Sequence, residues 1–407
     1  LLIKSQISTI WLIKSLFIKK TTFWQDFHIY LMKLYITISQ ETLKMKVVTF
    51  GEVMGRIAPP GFNRFTQSLP GSMDFTFGGG EANVAVSLSI LGREAAFVTA
   101  LPDNPIADAC INTIRGLGVD TNKIVRTKNG RLGLYFLETG ANQRASNVVY
   151  DRDYSSIMIT PSDKYNWSEI FSGADWFHLT GITPALSENA AIAAIDAAKA
   201  AKDCGLTVSC DLNFRKKLWN WKPGTKPRDL AEETMRKLLP FIDVVIANEE
   251  DAEQVLSIHA ADTNVDAGAV NATGYIEVAK QIVSQFPNVK YVAITLRESY
   301  SATHNNWGGM LYCVKDNSSS FAPLNAQGVY ESYEIKSIVD RVGGGDSFAA
   351  GLIYALTSTE YATPEKAISF AVAASCLKHS IIGDFNYSTL SEITALIKGA
   401  ASGRVNR

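Results

Sequence analysis

The chain has 407 residues, enough for one large α/β domain or two smaller ones. Hydrophobic residues make up 46% and charged residues 19%, which excludes a disordered chain. A net charge of −1 excludes a global field that would gather nucleic acid, so an anionic ligand must be held by a local cluster.

The first stretch, 1–44, is rich in Ile, Leu, Lys and aromatics, and Lys14, Lys19, Lys20, Asp26 and Lys33 interrupt its apolar runs. Those runs fall short of the ~18–20 residues of a membrane span, and no small-residue cleavage site follows them. It is read as a leader outside the fold, with the folded domain at 45–407 and Met45 as its start. From there short β-rich runs alternate with longer helical patterns, which predicts an α/β fold on a mainly parallel sheet. Strands are expected at 46–51, 95–100, 174–179, 206–211, 243–247 and 290–295. Helices are expected at 81–91, 105–117, 187–203, 228–239, 250–257 and 274–286, and then at 346–357, 363–379 and 388–398. After Gly80 the spacing of Val84, Ala85, Leu88 and Leu91 marks one helix face. Two segments break the alternation. Residues 54–77 and 131–151 are turn-rich or of period two, and predict a small β-sheet standing off the main one as a lid. Its edges are ones a second copy of the chain would cover. The five cysteines form no CxxC pair and no disulfide-like spacing, which fits reduced thiols in the cytoplasm.

Four motifs carry chemistry. In Gly343-Gly344-Gly345-Asp346 three glycines allow close backbone approach to a ligand, and the helix that follows offers free amides and a positive dipole end to a phosphate. Asp346 can cap those amides or take a proton from an attacking hydroxyl. Gly78-Gly79-Gly80-Glu81 opens a helix whose first turn holds Asn83, suited to a polyol; Glu81 and the departure from GxGxxG exclude a pyrophosphate there. Asp211-Leu212-Asn213-Phe214-Arg215 follows a strand, where open α/β sheets bind ligands. Asn248-Glu249-Glu250-Asp251 opens a helix after another strand; its acids suit a hydrated Mg²⁺ or simply a helix's first turn. No Walker A, HExxH or GxSxG motif occurs, and His178 and His379 read as structural residues.

In this order the four motifs resemble the ribokinase-like, or PfkB, carbohydrate kinases, over residues 46 to about 398. The signature D-T-x-G-A-G-D stands here as Asp340-Arg341-Val342-Gly343-Gly344-Gly345-Asp346, with Arg341 in place of Thr and Gly344 in place of Ala. The family's N-x-x-E magnesium motif appears with Asp251 as its last residue. The resemblance implies a ribokinase-like three-layer fold, ATP and Mg²⁺ as cofactors, Asp346 as base and the amides of Gly343, Gly344 and Gly345 as an anion hole. Nucleotide and magnesium fall to Asn248, Glu250, Asp251 and Gly345, with no direct protein ligand to the metal, and adenine to the region of Ala373 to Gly383. Within the family the chain is similar to kinases of 2-keto-3-deoxygluconate, which implies sugar-acid contacts from Gly79, Asn83, Tyr135, Tyr150, Arg152 and Arg215. A carboxylate substrate fits two guanidinium groups. A fructokinase or ribokinase, or a sugar-acid sensor without turnover, remains open on the same residues.

Overall fold

The computed structural model describes residues 45–258 and 272–399; the expected leader, 1–44, lies outside them. In chain order the strands are β1 (Lys46–Phe50), β2 (Met54–Ala58), β3 (Asp74–Gly78), β4 (Glu94–Val98), β5 (Ala100–Pro102), β6 (Val125–Thr127), β7 (Gly133–Glu138) and β8 (Asn147–Asp151). They continue with β9 (Trp176–Thr180), β10 (Thr207–Asp211), β11 (Val244–Ala247), β12 (Tyr291–Ser301), β13 (His304–Cys313), β14 (Ser318–Ala322) and β15 (Tyr333–Ile335). The main sheet runs in the order β14-β13-β12-β11-β10-β9-β1-β4, with β15 paired to β13. From β4 to β12 neighbours are parallel; β13, β14 and β15 are antiparallel additions at one edge.

The fold is the expected ribokinase-like α/β architecture, and its three layers follow from strand geometry. Successive side chains of a strand point to opposite faces, so a buried parallel sheet needs apolar residues at every position. Val48 and Phe50 of β1 pack with Phe177 and Leu179 of β9 in one core, while Val47 and Trp176 turn into the other. Helices Glu188–Asp203 and Pro227–Leu238 cover the first face. Gly80–Ile90, Gly344–Leu356 and Pro364–Lys378 cover the second. The Glu188–Asp203 helix shows why these residues seat so closely. Ala190, Ala194, Ala197 and Ala201 form one buried stripe at helical spacing, and the Ser187 hydroxyl caps the start by accepting from the Ala190 amide at 3.1 Å. Such a cap contributes about 1 kcal/mol.

The two expected lid segments meet as a four-stranded sheet, β3-β2-β7-β8, in which β2 and β7 pair in parallel across a whole βα unit of sequence. Met54, Ala58, Tyr135 and Leu137 form its own small core. One difference from the sequence reading concerns β12. The strand expected at 290–295 runs on to Ser301 and turns back as β13, and the half-exposed residues of that extension hide its period. This hairpin forms one wall of the cleft described next. No helix among the described residues is long and apolar enough to cross a membrane.

Candidate active site

The carboxyl ends of the main-sheet strands and the underside of the lid enclose a cleft of about 490 Å³. It gathers Gly79, Asn83, Tyr135, Tyr150, Arg152, Arg215, Asn248, Glu250, Asp251, Gly343, Gly344, Gly345 and Asp346, so the four sequence motifs meet in one place.

At its centre the helix Gly344–Leu356 begins on Gly343, whose φ of +82° is a left-handed conformation that favours glycine. A Cβ at that position would also lie 2.2 Å from the Asp384 carbonyl oxygen. Gly345 has no atom within 4 Å of where its Cβ would be, leaving open space above the first helical turn. First-turn amides have no partner within their helix and lie at its positive end, so this tip is a seat for an anion. Asp346 stands on the same turn, half-buried, and its carboxyl is pushed up to about 6. Desolvation is the main cause and the Asp384 charge adds to it; a hydrogen bond from Asn83 and the charges of Arg215 and Lys378 oppose it.

That bond joins the two glycine motifs. The Asn83 side-chain nitrogen donates to Asp346 Oδ2 at 2.6 Å, and the Asn83 oxygen accepts from the Gly79 amide at 3.2 Å. Asn83, expected to meet the polyol, therefore also orients the candidate base. Glu81, beside it, holds the helix to β9: Oε1 accepts from the Thr180 amide at 2.9 Å, the Thr180 hydroxyl at 2.9 Å and the Thr183 hydroxyl at 2.8 Å. Burial raises its carboxyl to about 7 against those bonds. A Cβ on Gly51 would sit 2.1 Å from this carboxyl group, so the Gly51 and Glu81 residue types depend on each other.

On the lid side the expected sugar-acid contacts are rearranged. Arg152 is 6% exposed and its Nη2 is committed to Glu52, with the guanidinium 5.2 Å above the Tyr150 ring. Its charge is answered by that carboxylate, while its buried Nε has no hydrogen-bond partner among the described residues and the side chain lines the cleft. The Tyr135 hydroxyl likewise points to Asp384, 2.7 Å from each carboxylate oxygen. Arg215 is exposed, and its Nη1 makes only a 3.4 Å contact with the Phe214 carbonyl. It is the cation left for a ligand at the end of β10.

Behind the glycine loop lies a buried charge network that sequence reasoning missed. Arg56 of β2 bonds Asp340 at 2.6 Å and Asp384 at 3.1 Å, tying the lid to the loop of the base. Lys378 is fully buried nearby, donating to the Ile381 carbonyl at 3.0 Å, and desolvation lowers its pKa against the pull of Asp340 and Asp384. Asp340 also accepts from the Val342 and Gly383 amides, at 3.0 Å each, which fixes the turn into Gly343. The signal was present in the run Lys378-His379-Ser380, but nothing in it showed a buried lysine.

On the opposite side Asn248 caps its helix, its oxygen accepting from the Glu250 and Asp251 amides at 2.8 and 2.9 Å. Asp251 accepts from the Asn248 amide at 3.1 Å and the Phe214 amide at 2.9 Å. Both of its oxygens thus tie loops together, and Asp251 lines the cleft beside Asn248 and exposed Glu250. Arg341, the departure from the signature, donates to the carbonyls of Ser301 and Ala302 at 3.1 and 2.8 Å and so anchors the β12–β13 hairpin. In the region expected to hold adenine, Ala373, Ala374 and Ser375 are buried in the core, and His379 reaches the cleft. His379 donates from Nδ1 to the Ser375 carbonyl at 2.8 Å, and burial lowers its pKa to about 4. His178 is fully buried, 2.9 Å from the Ser209 hydroxyl. Both histidines are neutral structural residues.

Comparison with known proteins fits this arrangement. The family model described as "pfkB family carbohydrate kinase" matches residues 44–298. A 2-dehydro-3-deoxygalactonokinase of Haloferax volcanii is 30% identical over 359 residues, 88% of this chain and 98% of that protein. The crystal structure of a 2-dehydro-3-deoxygluconokinase from Thermotoga maritima is 44% identical and superposes with a TM-score of 0.77 over 87% of this chain and all of that one. A PfkB family carbohydrate kinase from Listeria grayi is 32% identical, with a TM-score of 0.75 over 87% of this chain and 99% of that one.

Proposed function

The chain belongs to the pfkB family of carbohydrate kinases, and from that premise we propose that it transfers the γ-phosphoryl group of ATP to the terminal hydroxyl of 2-keto-3-deoxygluconate, giving the 6-phosphate and ADP. The observation that carries the proposal is the meeting of Asp346 with an open helix tip in a cleft that also holds an unpaired arginine, Arg215.

Asp346, with its carboxyl at about 6, is ionised at neutral pH and accepts the proton of the attacking hydroxyl. Asn83 fixes which oxygen faces the substrate. The amides at the start of the Gly344–Leu356 helix stabilise charge on the transferring oxygens, an interaction already in place before reaction. Arg215 holds the substrate carboxylate by charge-assisted hydrogen bonds, and Tyr150, seated under Arg152, packs against the sugar chain. The lid strands exclude water, which limits ATP hydrolysis.

Among the described residues no group of three or more His, Cys, Asp or Glu gathers as a metal cluster would. The oxygen donors of Asn248 and Glu250 at the cleft would suit a hydrated magnesium ion that arrives with the nucleotide. When bound it neutralises phosphate charge. Two further parts belong to the same reading. Cytoplasmic placement is supported by five free cysteines. Self-association through the lid is supported by exposed Phe75 and Val149 on its edge strands β3 and β8.

Identity favours the gluconate series, 44% against 30% for the galactonate relative, so the C4 epimer is the second reading. The test is ADP release, by a coupled assay, with 2-keto-3-deoxygluconate, its C4 epimer, fructose and ribose. Highest kcat/KM with the gluconate acid supports the proposal. Preference for a neutral sugar contradicts it, and tight acid binding without ADP release points to a sensor.

A further inference from the structure

We propose that Arg297 is a cationic clamp on the nucleotide polyphosphate, an inference that rests on the kinase reading above. Arg297 lies on the extension of β12, two residues beyond Thr295, where the strand has run past the end of β11 and pairs only with β13. Its neighbour Leu296 is buried in the core, whereas Arg297 is exposed on the cleft wall, opposite Trp307 of β13 in the antiparallel pair. Among the described residues its guanidinium has neither an ion pair nor a hydrogen bond. The adjacent carboxylate, Glu298, is engaged elsewhere, accepting from Asn306 at 2.8 Å and from Tyr300 at 3.1 Å.

A second guanidinium stands in the same cleft. Arg341 stands close enough that the Arg297 charge helps depress its pKa, second to burial, and Arg341 itself donates to carbonyl oxygens rather than to an acid. Two guanidinium groups thus line one cleft, and among the described residues neither is ion-paired to a carboxylate. Like charges so placed repel unless an anion joins them.

Strand order decides which anion. The sugar-side residues Gly79 and Asn83 open the Gly80–Ile90 helix, which packs against β1 and β9, and Arg215 follows β10. Asn248 follows β11, and Arg297 lies one strand further on, in the same cleft as the loop that runs from Arg341 into Gly343. The clamp therefore sits on the far side of the helix tip from the acid substrate, where the donor of the phosphoryl group must lie. A guanidinium there makes paired hydrogen bonds to phosphate oxygens and stabilises the charge that develops on the departing diphosphate.

The test is calorimetric binding of ATP and AMP, with magnesium, to the wild type, Arg297→Ala and Arg297→Lys, with thermal melts to confirm folding. The clamp predicts that Arg297→Ala weakens ATP about tenfold to a hundredfold. Arg297→Lys recovers part of that loss, while AMP and 2-keto-3-deoxygluconate bind all three proteins alike. A wild type that binds ATP beside an alanine variant that binds it equally well overturns the clamp alone. Equal losses for ATP and AMP also overturn it, since the residue would then act on the nucleoside or the fold. A wild type that binds no ATP overturns the kinase reading and the clamp together.

Discussion

The Asn83 amide donates to Asp346 Oδ2 at 2.6 Å across 263 positions of sequence, so the first glycine motif of the chain bears on the protonation of the last. This bond favours the ionised carboxylate against the desolvation that raises it. The pH profile of kcat/KM should therefore rise through about 6 and level off above it, because a protonated Asp346 cannot accept the hydroxyl proton. In Asn83→Leu the stabilising bond is gone, and the acid limb should move upward by on the order of one pH unit. A pH–rate series on both proteins checks this; coincident limbs would separate Asn83 from the base.

Glu81 makes stability itself depend on pH. Its carboxyl is raised from 4.5 to about 7 by burial, so the folded chain binds a proton that the unfolded chain releases. The contribution is fully present below 4.5 and is lost as pH rises toward about 7. Denaturant titrations across that window should show a decline in wild type and a flatter line in Glu81→Gln. Gly51→Ala, which drives a methyl group into the same carboxyl, should cost about 1–3 kcal/mol at any pH.

The lid is locked by charge rather than by apolar area alone. Arg56→Ala leaves Asp340 and Asp384 buried with only Lys378 as counter-charge, and should destabilise by about 3–5 kcal/mol in a denaturant series. Arg56→Lys should recover little of this, since one ammonium cannot reproduce a fork that meets two carboxylates.

Two of the cleft arginines, Arg215 and Arg152, should behave in opposite ways. Arg215→Ala should raise KM for the keto-acid about tenfold to a hundredfold at unchanged thermal stability, because its guanidinium is free and exposed. Arg152→Ala should fail chiefly through stability, because it strands Glu52 without its ion pair. Steady-state kinetics and melting curves on the two variants distinguish the roles.

These residues also show what a sequence can reveal. The parallel strands were legible because burial on both faces leaves short, mostly apolar runs, as in Val47-Val48-Thr49-Phe50 and Val244–Ala247. The lid was legible because 54–77 and 131–151 break that pattern, and the glycine motifs because close backbone approach leaves few residue types. The β12 extension was not: Arg297, Ser299 and Tyr300 are solvent-facing, so no apolar period marks the strand. Pairings were equally hidden. Nothing local in Arg152 announces Glu52, 100 positions away, and nothing in Asp251 shows that it ties two loops. The motifs located the site; only long-range contacts showed which side chains in it remain free.

The most direct test of the account is single-turnover phosphoryl transfer from ATP to 2-keto-3-deoxygluconate by Asp346→Asn, with binding of the acid measured on the same protein. The account predicts a rate lower by on the order of 10²–10⁴-fold, with acid binding close to that of the wild type. Transfer at the wild-type rate would contradict it, because the proton of the attacking hydroxyl would then be leaving by a route in which Asp346 has no part.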